Sequence, residues 1–164
     1  MALNLAQKDD GSAELSSDGA VTQGRWGGPS APAGSQVSYR GEVIVKVPLA
    51  AVDTGGGLFS WQVPLNTDII ITGLYLDVTT ASTGACTVDI GYTASSATTS
   101  VDNLIDGLDV NAATGLFSNF KNAGSNGKAD QRGVAGKWVT GSKASGATAG
   151  IVGYAYIRYI PVGA

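Results

Sequence analysis

The residues with most chemical potential are three carboxylates, Asp102, Asp106 and Asp109, spaced through DNLIDGLDVN. Oxygen ligands of this kind suit Ca²⁺, but their spacing departs from the D-x-[DN]-x-[DN]-G loop that wraps the ion. Aspartates set among Asn and Gly also build turns and caps, and that is the reading adopted for this segment. GSNGKA, Gly124–Ala129, has the outline of a phosphate loop. However, Asn122 stands where the first Gly of GxxxxGK[ST] belongs, and Ala129 replaces the hydroxyl residue that would hold Mg²⁺.

The chain contains no histidine, which removes the usual general base, the usual zinc ligand and the standard serine and cysteine triads. Its one cysteine, Cys86, sits on the apolar side of a β-forming run and is read as a small buried hydrophobe. A single cysteine closes no internal disulfide, so the fold is expected to stand without an oxidising compartment. No Trp-lined acid pair points to glycoside hydrolysis. The expectation is a protein that is not an enzyme, with no cofactor and no metal.

What remains is scaffold. There are 24 glycines in 164 residues, about twice the usual ~7% usage, with no period of three. That composition favours short strands and many turns in a single domain large enough to bury a core. The net charge of −3 carries no basic footprint for nucleic acid or membrane. MALNLAQKDDGS lacks the basic and apolar regions of a signal peptide, and no apolar run approaches a membrane span. A soluble, cytoplasmically synthesised protein is expected.

The central stretch is Thr67–Tyr92, TDIIITGLYLDVTTASTGACTVDIGY, two β-forming runs separated by a Thr/Ser/Gly break and read as a hairpin. In its first run Ile70, Thr72, Leu74, Leu76 and Val78 share one face by simple alternation. Ile69, Ile71 and Tyr75 fall outside that set and are more apolar than a solvated face requires, so they are expected to be covered by a loop, the arm or another subunit. Further strands are expected at Val37–Pro48, Leu58–Pro64, Val134–Gly141 and Gly150–Val162. Thr93–Lys128 is expected to be mostly loop, with a helical turn near Ser100–Leu108 capped by Ser100 or Asp102. Six to eight strands with short connections make an all-β antiparallel sandwich.

Residues 1–36 differ: acidic at first, then WGG and the Pro/Ala/Ser/Gly stretch PSAPAGS, without apolar periodicity. They read as an extended N-terminal arm, with Trp26 as an anchor for a partner, ahead of a sandwich domain at 37–164. Residues 1–18 carry a net −3 and residues 121–143 a net +4, an asymmetry suited to pairing within or between subunits.

VDIGYTASSATTSVDNLIDGLDVNAATGLFSN and the later NGKADQRGVAGKWVTGSKASGATAGIVGYAYIRYI resemble the small head-decoration or capsid-fibre proteins of tailed bacteriophages. The resemblance covers about Thr67 to Ile160. It implies a jelly-roll-like β-sandwich on the outer surface of an icosahedral capsid, with the major capsid protein and neighbouring copies of itself, as in a homotrimer, for partners. The implied location is the virion. A jelly-roll carbohydrate- or receptor-binding module is the alternative, using loops at Gly55–Gly57, Ser95–Ser100 and Ser142–Ala149 as a ligand edge.

Overall fold

The structure, a computed structural model, describes residues 14–15, 21–22, 41–98 and 101–162. The chain divides into two units, Met1–Ser38 and Tyr39–Ala164. In the first, β1 (Glu14–Leu15) pairs antiparallel with β2 (Val21–Thr22). Apart from that ladder the expected arm, Trp26 included, lies outside the described residues.

The second unit is all-β. Among the described residues nine strands follow in order: β3 (Val43–Pro48), β4 (Phe59–Gln62), β5 (Asp68–Thr80), β6 (Cys86–Thr93), β7 (Ile105–Asp109), β8 (Gly115–Ser118), β9 (Gln131–Gly133), β10 (Trp138–Gly146) and β11 (Val152–Val162). They form two antiparallel sheets. One runs β3-β11-β5-β8, with β9 pairing farther along the same edge of β5; the other runs β4-β10-β6-β7. Alternating apolar residues from both sheets meet in one core, with Ile71, Leu74, Leu76 and Ile157 facing Val88, Ile90, Ile105 and Val139.

Successive strands mostly change sheet; only β6–β7 and β8–β9 remain within one. The expected hairpin at Thr67–Tyr92 is therefore corrected, because β5 and β6 belong to opposite sheets. Their link arches across the core, held by Ser82 N–H to Val110 O (3.1 Å) and Thr83 N–H to Ala149 O (2.8 Å). Each strand buries one face, and the arch lets those faces meet.

A second correction concerns β5. Its register against β11 shifts between Arg158 and Tyr159: Arg158 pairs with Gly73 and Tyr159 with Ile71, so Thr72 is an extra residue. Such a bulge resets the alternation. Ile69 and Ile71 before it and Leu74, Leu76 and Val78 after it all point into the core, where all five are buried. Ile69 and Ile71 are thus core residues of this chain, and Ile70 is the isoleucine that faces outward.

Where a helical turn is expected near Ser100–Leu108, the described residues form β7, and Ser100, one of the turn's two expected caps, lies outside them. Gly107 has φ +66°, a left-handed conformation that interrupts a helix, and lies in a bulge opposite Asp89. The strand expected at Val134–Gly141 starts later, at Trp138, and runs on to Gly146 through residues expected to be loop.

Candidate interaction surface

The two sheets treat their outer faces differently. Loops cover the four-stranded one. Gly91 of β6 lies against Val101, whose side chain and carbonyl leave no room for a β-carbon. Asn103 accepts from Tyr92 N–H (2.8 Å) and donates to Tyr92 O (3.0 Å). Ser142 accepts from Gly56 N–H (2.7 Å) and donates to Thr98 O (3.1 Å). The three loops considered as a ligand edge are thus brought together at Gly56, Thr98 and Ser142, and these polar groups are satisfied by one another.

Among the described residues no loop covers the five-stranded sheet in this way. Its outward residues follow from register: Ile44 and Lys46 on β3; Val152, Tyr154, Tyr156, Arg158 and Ile160 on β11; Tyr75 and Asp77 on β5; Leu116 on β8. Cross-strand rows result. Pro48, Tyr154, Asp77 and Leu116 form one, and Lys46, Tyr156, Tyr75 and Ser118 the next. Ile44, Arg158 and Gly73 form a third, where the Phe120 ring covers the glycine and meets Tyr75 at 6.4 Å between centroids. Of the nine large hydrophobics exposed among the described residues, six belong to this sheet or its rim. Ile44 and Leu116 are more than 60% exposed. That concentration exceeds the scattered single hydrophobes of an ordinary surface.

Charges on the face are ordered by the aromatic rings. Arg158 donates to Glu42 Oε2 (2.6 Å) and to the Tyr75 hydroxyl (3.1 Å), and Thr72 donates to the other Glu42 oxygen. The Arg158 and Thr72 hydrogen bonds hold the Glu42 carboxyl below its usual range, and Glu42 in turn raises Arg158. Lys46 Nζ sits 3.7 Å above the Tyr154 ring centroid, a cation–π contact. At the β9 end a shallow hollow is lined by Ile70, Asp130, Gln131, Arg132 and Val162.

Of the residues expected to contact a partner, Tyr75 lies on this face, Ile69 and Ile71 lie in the core, and Trp26 is outside the described residues. Simple alternation on β11 places Tyr154, Tyr156 and Arg158 on one face, outside the set of residues expected as contacts. The signal was the repeat of aromatic residues at every second position.

The three aspartates of DNLIDGLDVN serve the turns. Asp109 Oδ1 accepts from Asn111 and Ala112 N–H, while Asp102 and Asp106 both hold Asn126. In the basic segment, Arg132 pairs with Asp68 (2.8 Å) and Lys143 with Asp53 (3.6 Å). Cys86 is buried, and burial raises its thiol pKa, so little reactive thiolate forms.

No protein-family model, curated protein or solved structure matches this chain.

Proposed function

We propose that the chain is a structural virion protein that binds the outer surface of a phage capsid and stabilises the shell. The observation that carries the reading is where the resembling residues fall. VDIGY closes β6, DNLIDGLDV contains β7, and GYAYIRYI is the middle of β11, the central strand of the five-stranded sheet. The two paths β3-β11-β5-β8 and β4-β10-β6-β7 also support the finer jelly-roll reading, which is a double-sheet arrangement of interleaved strands.

A decoration protein needs a rigid body and repeated contacts, and its function requires no chemistry. Many copies on one shell add avidity to weak individual contacts. A protein that binds the assembled shell in preference to free subunits stabilises it by mass action. In this reading residues 1–36, with Trp26, contact the shell or a neighbouring subunit. The alternative, a carbohydrate- or receptor-binding module, would use the loops that meet at Gly56, Thr98 and Ser142, whose polar groups bond one another.

The test is co-sedimentation with assembled capsids that lack the protein. The full chain is expected to pellet with shells and remain in solution with unassembled capsid subunits. A chain shortened to begin at Gln36 is expected to lose most of that binding. Failure of the full chain to pellet, together with retention on a glycan array, would transfer the assignment to the alternative.

A further inference from the structure

We infer that the outer face of the five-stranded sheet packs against the same face of a second copy, forming a twofold dimer centred on Tyr154 and Tyr156. The inference builds on the reading of the chain as a structural component, and its test needs no capsid.

The first argument is area. The face spans about nine residues each of β11 and β5 but only the 6 of β3 and 4 of β8, which at ~3.4 Å per residue and ~4.8 Å between strands give roughly 450 Å² per copy. Two copies bury about 900 Å², the size of a weak association that forms at high chain concentration. The centre is tyrosine-rich, with apolar Ile44 and Leu116 at its sides, the composition that interface cores favour.

The second argument is charge. Lys46 on β3 and Asp77 on β5 flank β11 from opposite sides, and among the described residues neither forms a salt bridge. Lys46 leans over Tyr154, into the row that contains Asp77. A half-turn about an axis parallel to β11 exchanges the β3 and β5 sides. It brings Lys46 of each copy onto the row of Asp77 in the other, forming two equivalent pairs around the tyrosines. An isologous interface requires this kind of self-complementarity, in which the same two residues meet twice. Among the described residues this face carries one cation and one anion without a salt-bridge partner, a pattern that suits a second copy better than a partner of uniform charge.

Sedimentation velocity on the full chain tests the inference. At about 100 µM chain, the expected mass is 33 kDa, twice the 16.5 kDa of the monomer. Tyr156→Glu and Ile44→Glu, both on the face, are expected to give monomers with native circular dichroism. Leu65→Glu, at an exposed site away from the face, is expected to remain dimeric. Lys46→Asp and Asp77→Lys are each expected to weaken the dimer about tenfold, and the double exchange to restore it. A full chain that is monomeric or trimeric at this concentration overturns the inference. So does a dimer indifferent to both glutamate substitutions. A monomer that still pellets with capsids would overturn this inference alone, whereas a dimer that ignores capsids would overturn the proposed function alone.

Discussion

Asn119 satisfies both backbone groups of Leu74. Its N–H donates to Leu74 O (3.1 Å), and its side-chain Oδ1 accepts from Leu74 N–H (2.9 Å). Its Nδ2 donates to Lys128 O (2.8 Å) and Ala129 O (2.7 Å). β8 pairs with Tyr75–Val78 and β9 with Ile69–Ile71, so one side of β5 would otherwise lack a partner at Leu74. Asn119, itself 1% exposed, fills that place and ties the two edge strands together. Asn119→Ala leaves a buried N–H and two carbonyls short of partners, each such group costing about 1–3 kcal/mol. The expected loss is about 3 kcal/mol in urea unfolding, and a loss under about 1 kcal/mol would show that water replaces the side chain.

The bulge at Thr72 predicts opposite outcomes for adjacent isoleucines. Ile71→Ala removes a fully buried side chain and is expected to cost about 2–5 kcal/mol, whereas Ile70→Ala, on the outer face, is expected to cost less than about 1 kcal/mol. Chemical denaturation of the two variants is the check. Equal losses, or a larger one at Ile70, would restore the uninterrupted alternation.

That pair of residues also marks the limit of what the chain discloses by itself. On β3 from Val43 and on β11 from Val152 to Ile160 the burial alternates with the period of 2 that the residue types show. On β5 one added residue inverts the assignment of Ile69–Ile71, because alternation carries no sign of a bulge at Thr72. Leu104, Ile105 and Leu108 have helical spacing, yet Gly107 at positive φ and the pairing of Ile105 and Leu108 with Ile90 and Val88 make a bulged strand. The β5–β6 link is short enough for a hairpin, and only the partners of each strand reveal the crossing. The face of the five-stranded sheet is hidden in the sequence for a related reason. Tyr75, Tyr154 and Tyr156 lie far apart along the chain and meet only through register.

Three carboxylates make the fold acid-sensitive. The Asp53 carboxyl is lowered by the Thr148 backbone and hydroxyl donors, Asp68 by Arg132 and the Ala135 N–H, and Glu42 by Arg158 and Thr72. A carboxyl lowered in the folded state contributes stability that is present above its unfolded value, about 4, and is lost as pH falls through the lowered folded value. The urea midpoint is therefore expected to hold steady as pH falls from 7 to about 5 and to drop below about pH 4. Asp53→Asn and Asp68→Asn are each expected to flatten that drop. An unchanged profile in both variants would remove these residues from the explanation.

Asp89 should act in the opposite direction. It is 8% exposed on β6, where burial raises its pKa despite the hydrogen bond from Gly107 N–H (2.9 Å), with Asp106 and Asp102 adding repulsion. A carboxyl raised in the folded state binds its proton more tightly there than in the unfolded chain, so stability falls as pH rises through its titration. Asp89→Asn keeps an oxygen acceptor for Gly107 and removes the buried charge. The melting temperature is expected to rise at pH 7, with the gain disappearing below about pH 4. A lower melting temperature at pH 7 would mean that the ionised carboxylate holds the Gly107 bulge better than an amide does.

The central claim is that this sandwich is a component of a virion shell. Cryo-electron microscopy of virions assembled from a genome encoding the chain tests it most directly. The account predicts density for a two-sheet sandwich on the outside of the capsid, contacting the major capsid protein at repeated symmetry-related positions. Shells without that density, or with the chain confined to the tail or missing from the particle, would contradict it.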